Sequence, residues 1–355
     1  MLNFRKNFGF AVIVAIVCLA VAFFDGFLQG GHTVGPALQA LVIAGLLGIL
    51  ELSLSFDNAV VNAAVLRNMD PAWQRRFLTI GILIAVFGMR FLFPIVIVAL
   101  TAHLGLAQVV QEAFGNPAAY AAHLTAAHVP ISAFGGCFLL LVFLQYLMDP
   151  EKELHWIDPL ERRLAAIGKL DTIQVVLTAA VLLLATFTLV PAAAQLTALS
   201  AGLIGIILYL IVNALGNLFD VDDFAAKAGA AGLASFIYLE VLDASFSLDG
   251  VIGAFALTNN IVIIAAGLTI GAVFVRSLTV SMVRSGTLDA YRFLEHGAHY
   301  GIGALAAIML LSMSPRIEIP EVVTGLIGAG FIGLAVWTSM LANRRDSGSV
   351  SSTDD

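Results

Sequence analysis

Seven charged residues of this chain fall in stretches that are otherwise apolar: Glu51, Asp57, Glu240, Asp243 and Asp249, with Arg90 and Arg276. A carboxylate at the centre of a membrane-spanning helix costs about 2.5 kcal/mol or more to insert, so each needs a compensating partner. Three partners are open: the in-span arginines, protons, or a metal ion. Two arginines cannot neutralise five acids. The surplus of hard oxygen donors suits Mg²⁺, Ca²⁺ or Mn²⁺, whereas a zinc-type site draws on Cys and His. Cys18 and Cys137 sit in other apolar runs, and no histidine falls at these depths before His296 and His299. The structural alternative locks each arginine on one carboxylate and leaves the other acids protonated.

Spacing constrains how the acids can meet. Residues six apart on a regular helix differ by about 120° in azimuth, so Glu51 and Asp57 cannot face one ion from an intact helix. Glu51 with Ser55, and Asp243 with Ser247, are i,i+4 pairs that share a face. The expectation is a helix broken or unwound around Ser55 to Asn58, and a second around Ser247 to Gly250, each freeing backbone carbonyls as ligands. Gly250 and Gly253 ease the second break, and Asn58 offers an amide oxygen at the first. Asn213 and Asn217 form another i,i+4 polar face, expected either to line the path or to hydrogen-bond between helices.

These residues are carried by a chain of 355 residues that is 60% hydrophobic and 12% charged, with mean hydropathy +0.98, which excludes a water-soluble protein. Ten apolar runs, near residues 8–28, 36–66, 77–100, 131–148, 171–190, 197–219, 231–257, 262–283, 299–313 and 321–341, approach or exceed the length needed to cross about 30 Å of hydrocarbon. The fold class is therefore all-α, a polytopic membrane protein of about ten helices. The first run is read as a retained span, because it is too long for a signal-peptide core and no small-residue cleavage site follows. With the N-terminus cytoplasmic, Arg5, Lys6, Arg67, Arg75, Arg76, Lys152, Arg162, Arg163, Lys169, Lys227, Arg284, Arg292, Arg344 and Arg345 all lie inside, and only Arg316 outside. That bias places both termini in the cytoplasm of a bacterial cell.

The outer connection, 101–130, carries Glu112, His103, His123 and His128, read as solvated rather than as a metal-collecting group. The segment 148–170 reads as an amphipathic surface connector and the tail 344–355 as disordered. Nothing points to nucleic-acid binding.

Laying the seventh run over the second reveals a repeat. ELSLSFDNAV from Glu51 aligns onto DASFSLDGVI from Asp243, pairing Glu51 with Asp243, Ser55 with Ser247 and Asp57 with Asp249. GILIAVFGMR from Gly81 aligns with GLTIGAVFVR from Gly267, so that Arg90 matches Arg276 across a connection six residues shorter. Copies that begin five crossings apart enter the membrane from opposite sides. Such inverted repeats mark many secondary transporters, with sites at the midplane where helices are interrupted. The expected organisation is an N-terminal span in 1–35, a first repeat in 36–148, a connector with two spans in 149–230, a second repeat in 231–313, a last span in 314–343 and the tail.

The blocks LELSLSFDNAVVNAAVL with RRFLTIGILIAVFGMRFLF, and LEVLDASFSLDGVIGAFALTNN with VRSLTV, resemble those of the TerC family, associated with tellurium resistance and manganese export within the LysE-type transporter superfamily. The resemblance covers roughly 36–100 and 230–283. It implies metal-site roles for Glu51, Asp57, Glu240, Asp243 and Asp249, with Asn58 beside them. Where the family has D-S-I-P-A, this chain has Asp249, Gly250, Val251, Ile252 and Gly253, lacking the Ser donor and the Pro.

The expected function is export of manganese or another hard divalent cation, with no catalytic residue and no tightly bound cofactor. In that reading Glu51, Asp57, Asp243 and Asp249 coordinate the ion, while Glu240, Arg90 and Arg276 balance charge when it is absent. Expected partners are the metal ion and the bilayer, with a homo-oligomer or membrane stress-response proteins also open. Two rival readings are a non-transporting metal sensor or scaffold and an intramembrane aspartyl protease using Asp57 and Asp249. The protease lacks its G-x-G-D sequence and has no task for the second acids or the arginines.

Overall fold

An apolar run inside hydrocarbon has no water to satisfy its backbone, so it hydrogen-bonds within itself as a helix. The structure, a computed structural model, describes residues 4–168, 170, 172–217, 224–317 and 319–350, with the side chains of 4–6, 215–230, 247–249, 256, 321 and 345–350 outside that description. Among the described residues it is all-helical, with no strand. The helices are α1 (Phe4–Gln29), α2 (Val34–Leu54), α3 (Phe56–Leu66), α4 (Pro71–Leu83), a π-helical segment (Ile84–Leu92), α5 (Phe93–Thr101), α6 (Leu106–Gly115), α7 (Pro117–Ala126) and α8 (His128–Leu147). They continue with α9 (Asp158–Ile167), α10 (Ile173–Leu189), α11 (Gln195–Asn217), α12 (Phe224–Leu257), α13 (Ile261–Ser285), α14 (Thr287–Ala290), α15 (Leu294–Leu311) and α16 (Glu321–Val350).

Eight helices among the described residues are long and apolar enough to cross a membrane, against the ten runs expected. The two that fall short are α10, 17 residues, and α15, 18 residues, whose first two turns carry Glu295, His296 and His299. The last helix continues through Arg344 to Val350, where a disordered tail was expected.

Local chemistry sets several boundaries. Asp70 caps α4 by accepting from the Ala72 N–H at 2.7 Å, with Pro71 at the first helical position. Asn260 caps α13 through the N–H groups of Val262 and Ile263, and Gly286, at φ +62°, ends it in the left-handed region. Contacts between helix ends sort the chain into two faces. At one, Asn260 donates to Asp25 at 2.6 Å. At the other, Arg284 donates to Asn7, Arg67 to Glu295, and the Trp156 indole to Thr338.

The centre of the bundle is α8 and α13, packed through small residues. Gly135 and Gly136 of α8 lie against Met309 and Leu310 of α15, and Gly267 of α13 lies against Ala44 and Leu47 of α2. The outer surface exposes Ile13, Leu184 and Trp337, apolar side chains that a bilayer would cover.

Candidate functional site

Ser55 interrupts the second apolar run. Its φ of −98° and ψ of 18° separate α2 from α3, and the break is one residue wide, bracketed by Ser55 N–H to Glu51 C=O and Ala59 N–H to Ser55 C=O bonds of 3.0 Å each. The Asn58 N–H is taken by Asp57 Oδ1 at 2.9 Å, and Ser55 Oγ donates to Glu51 Oε1 at 3.4 Å. The change of direction puts Glu51 and Asp57 on the wall of one cavity.

The second expected break is absent. α12 runs unbroken through 247–250. No proline forces an interruption, and an unwound stretch would leave backbone groups without partners. Gly250 serves close approach instead: a Cβ there would lie 2.7 Å from Glu51 Oε2. The side chains of Ser247 and Asp249, and that of Asn217, lie outside the described residues.

Each arginine pairs with the acid of its own repeat. Arg90 binds Glu51 and also donates to the Ala85 carbonyl at 2.7 Å, inside the π-helical segment that precedes Pro94. Arg276 forms a fork with Glu240, 3.1 Å to each oxygen, and reaches Asp243 Oδ2 at 3.3 Å. Its guanidinium lies over the Phe77 ring and donates to the Phe77 carbonyl at 3.2 Å. Gly81 leaves room for this pair, since a Cβ there would lie 2.6 Å from Glu240 Oε1. Asn58 Nδ2 donates to Asp243 Oδ1 at 2.8 Å, tying the two repeats together. Glu51, Asp57, Asn58, Arg90, Glu240, Asp243 and Arg276 are all buried.

Asp57 differs from Glu51, Glu240 and Asp243. It has no basic partner among the described residues, and its carboxylate is flanked by backbone. A Cβ at Gly301 or Gly328 would lie 3.2 or 3.3 Å from its Oδ2. The cavity it borders has a volume of about 1030 Å³ and extends from Glu51, Ser55 and Asp57 past Gly253 to Ser312 and Pro320, on the face where Asp25 meets Asn260.

Toward the other face, aromatic side chains gather around Tyr300. Tyr300, beside Gly301, stacks on Phe331 at 5.9 Å and meets Trp156 and Phe143 edge-on. Its hydroxyl donates to Glu161 Oε1 at 3.0 Å. Glu161 is fully buried, ion-paired to Lys152 at 2.9 Å and accepting from the Ile157 N–H at 3.1 Å. Burial pushes its carboxyl up, but the Lys152 and Ile157 hydrogen bonds and the charges of Lys152 and His296 hold it below the usual carboxylate range. The segment 148–170 is thus docked through a buried acid, where a solvated connector was expected.

Other expectations resolve plainly. Asn213 is exposed on α11 and is not among the residues that line the cavity. His123 lies 3.6 Å from Glu112, and His128 lies 3.4 Å from Ser132. Among the described residues no three His, Cys, Asp or Glu side chains are arranged to hold a metal ion. In the arrangement seen here the arginines take the positions next to the acids.

The sequence profile of a family described as "Protein of unknown function (DUF475)" matches residues 56–346. No curated protein and no solved structure matches the chain.

Proposed function

The chain belongs to the DUF475 family of membrane proteins, and from that premise we propose that it exports a hard divalent cation, manganese foremost, across the bacterial cytoplasmic membrane. The observation that carries this reading is Asp57: a buried carboxylate without a cation partner among the described residues, on the wall of a cavity that reaches one face of the bundle. The resemblance of the two acidic blocks to the TerC family supports it and names the ion.

In this reading Arg90 and Arg276 stand in for the cargo. An arriving dication binds Asp57 and draws Glu51 and Asp243 from their guanidinium partners, with Asp249 as a further ligand from the second repeat. Manganese fits the donor set, because carboxylate and amide oxygens suit a hard cation. In this reading the cavity opens toward one face while the packing around Tyr300 and Glu161 occludes the other, as alternating access requires. By the bias of basic residues that face is the outer one.

The test is the manganese content of cells expressing variants. Asp57→Asn and Asp249→Asn are expected to raise retained manganese and manganese sensitivity to the levels of cells without the protein. Unchanged content and sensitivity in both variants would overturn the proposal.

A further inference from the structure

Asn62 lies one turn of α3 beyond Asn58, on the same face and about 6 Å deeper into the bundle, away from the cavity. Both residues are 1% exposed, and the Oδ1 of each has no hydrogen-bond partner among the described residues. At Asn58 the orientation of the amide is set by its surroundings, since Nδ2 must face the Asp243 carboxylate and Oδ1 is left over. A buried carbonyl oxygen without a donor is destabilising, and leucine, of similar shape, would fill position 62 without that penalty. Two such oxygens, stacked i,i+4 on one face of α3, the first of them on the amide that bonds Asp243, are not explained by packing.

We propose that Asn62 Oδ1, with Asn58 Oδ1, forms a second and uncharged station for the cation, inward of the carboxylates. The inference rests on the cation reading above and adds a residue and a direction to it: from Glu51 and Asp57 at the cavity, past Asn58 and Asp243, to Asn62. Bare amide oxygens match the coordination chemistry of a hard, partly dehydrated cation. A neutral station next to a charged one also meets a requirement of passage, that an ion bind firmly enough to enter and loosely enough to leave.

Thermal unfolding of the purified full chain in detergent, titrated with manganese chloride, tests this. The wild type is expected to gain stability with manganese. Asn62→Leu is expected to melt at or above the wild type without metal and to show a roughly tenfold weaker apparent Kd for manganese. A titration that superimposes on the wild type overturns the inference. So does a leucine variant that melts lower or fails to fold, because Asn62 would then serve the fold. A wild type that ignores manganese instead overturns the cation reading itself, and this inference falls with it.

Discussion

Arg90 and Arg276 stand in the same relation to their acids, 39 residues after Glu51 and 33 after Asp243, the difference being the six residues by which the second connection is shorter. Pairs this deep contribute little net stability when intact, but removing one partner leaves an uncompensated charge. Arg90→Gln is therefore expected to cost about 3 kcal/mol, and Arg90→Gln with Glu51→Gln to regain more than half of that loss, measured as a double-mutant cycle by thermal unfolding in detergent. Asp57 makes no such pair, so the stability of the chain is expected to survive Asp57→Asn even where metal handling is lost. The sequence left the pairing of acid with arginine as one of two arrangements, because unlike charges at matched positions compensate each other in hydrocarbon, as a metal ion also would. Asn62 was not legible: an asparagine in a helix reads the same whether its oxygen is bonded or free, and only the surrounding helices decide.

The elements show where sequence reasoning holds and where it stops. The break at Ser55 follows from the six-residue spacing of Glu51 and Asp57. By contrast α12 keeps its hydrogen bonds past Gly250. A glycine signals a break and a close approach with the same letter, and here the reason is Glu51 on another helix. The docking of the segment 148–170 was hidden similarly, since Tyr300 lies 139 residues from the Glu161 it bonds. Because the folded Glu161 carboxyl lies below its unfolded value, its contribution to docking is full above roughly pH 4.3 and is lost as pH falls through the lower folded value. Hydrogen exchange across 148–167 should thus be flat from pH 8 to about 5 and rise in acid, after correction for intrinsic rates. Glu161→Ala, which leaves the Lys152 ammonium buried without its partner, is expected to loosen this segment at neutral pH by on the order of 3 kcal/mol.

At the scale of the molecule, the helices form a bundle with a cavity toward one face and an aromatic cluster around Tyr300 toward the other. Hydropathy reveals such a bundle, because each span must satisfy its own backbone, but it is blind to which faces of the spans meet. The bias of basic residues predicts that the cavity face is extracellular. In a chain with Cys18 and Cys137 replaced by alanine, a membrane-impermeant maleimide is expected to label Ser312→Cys in intact cells and Ala290→Cys only after the cells are opened. The reverse pattern would invert the orientation and turn the proposed exporter's cavity toward the cytoplasm. Last, the acids and their arginines are crowded by glycines from other helices: Gly81 by Arg276 and Glu240, Gly250 and Gly271 by Glu51, Gly301 and Gly328 by Asp57. None of these glycines has a side chain that could touch an ion, yet any missense single-nucleotide change at their codons adds at least a Cβ beside an acid or its arginine. A genetic screen for loss of function should therefore recover glycine alleles as readily as acidic ones, and the two classes would trace the same site from its outside and its inside.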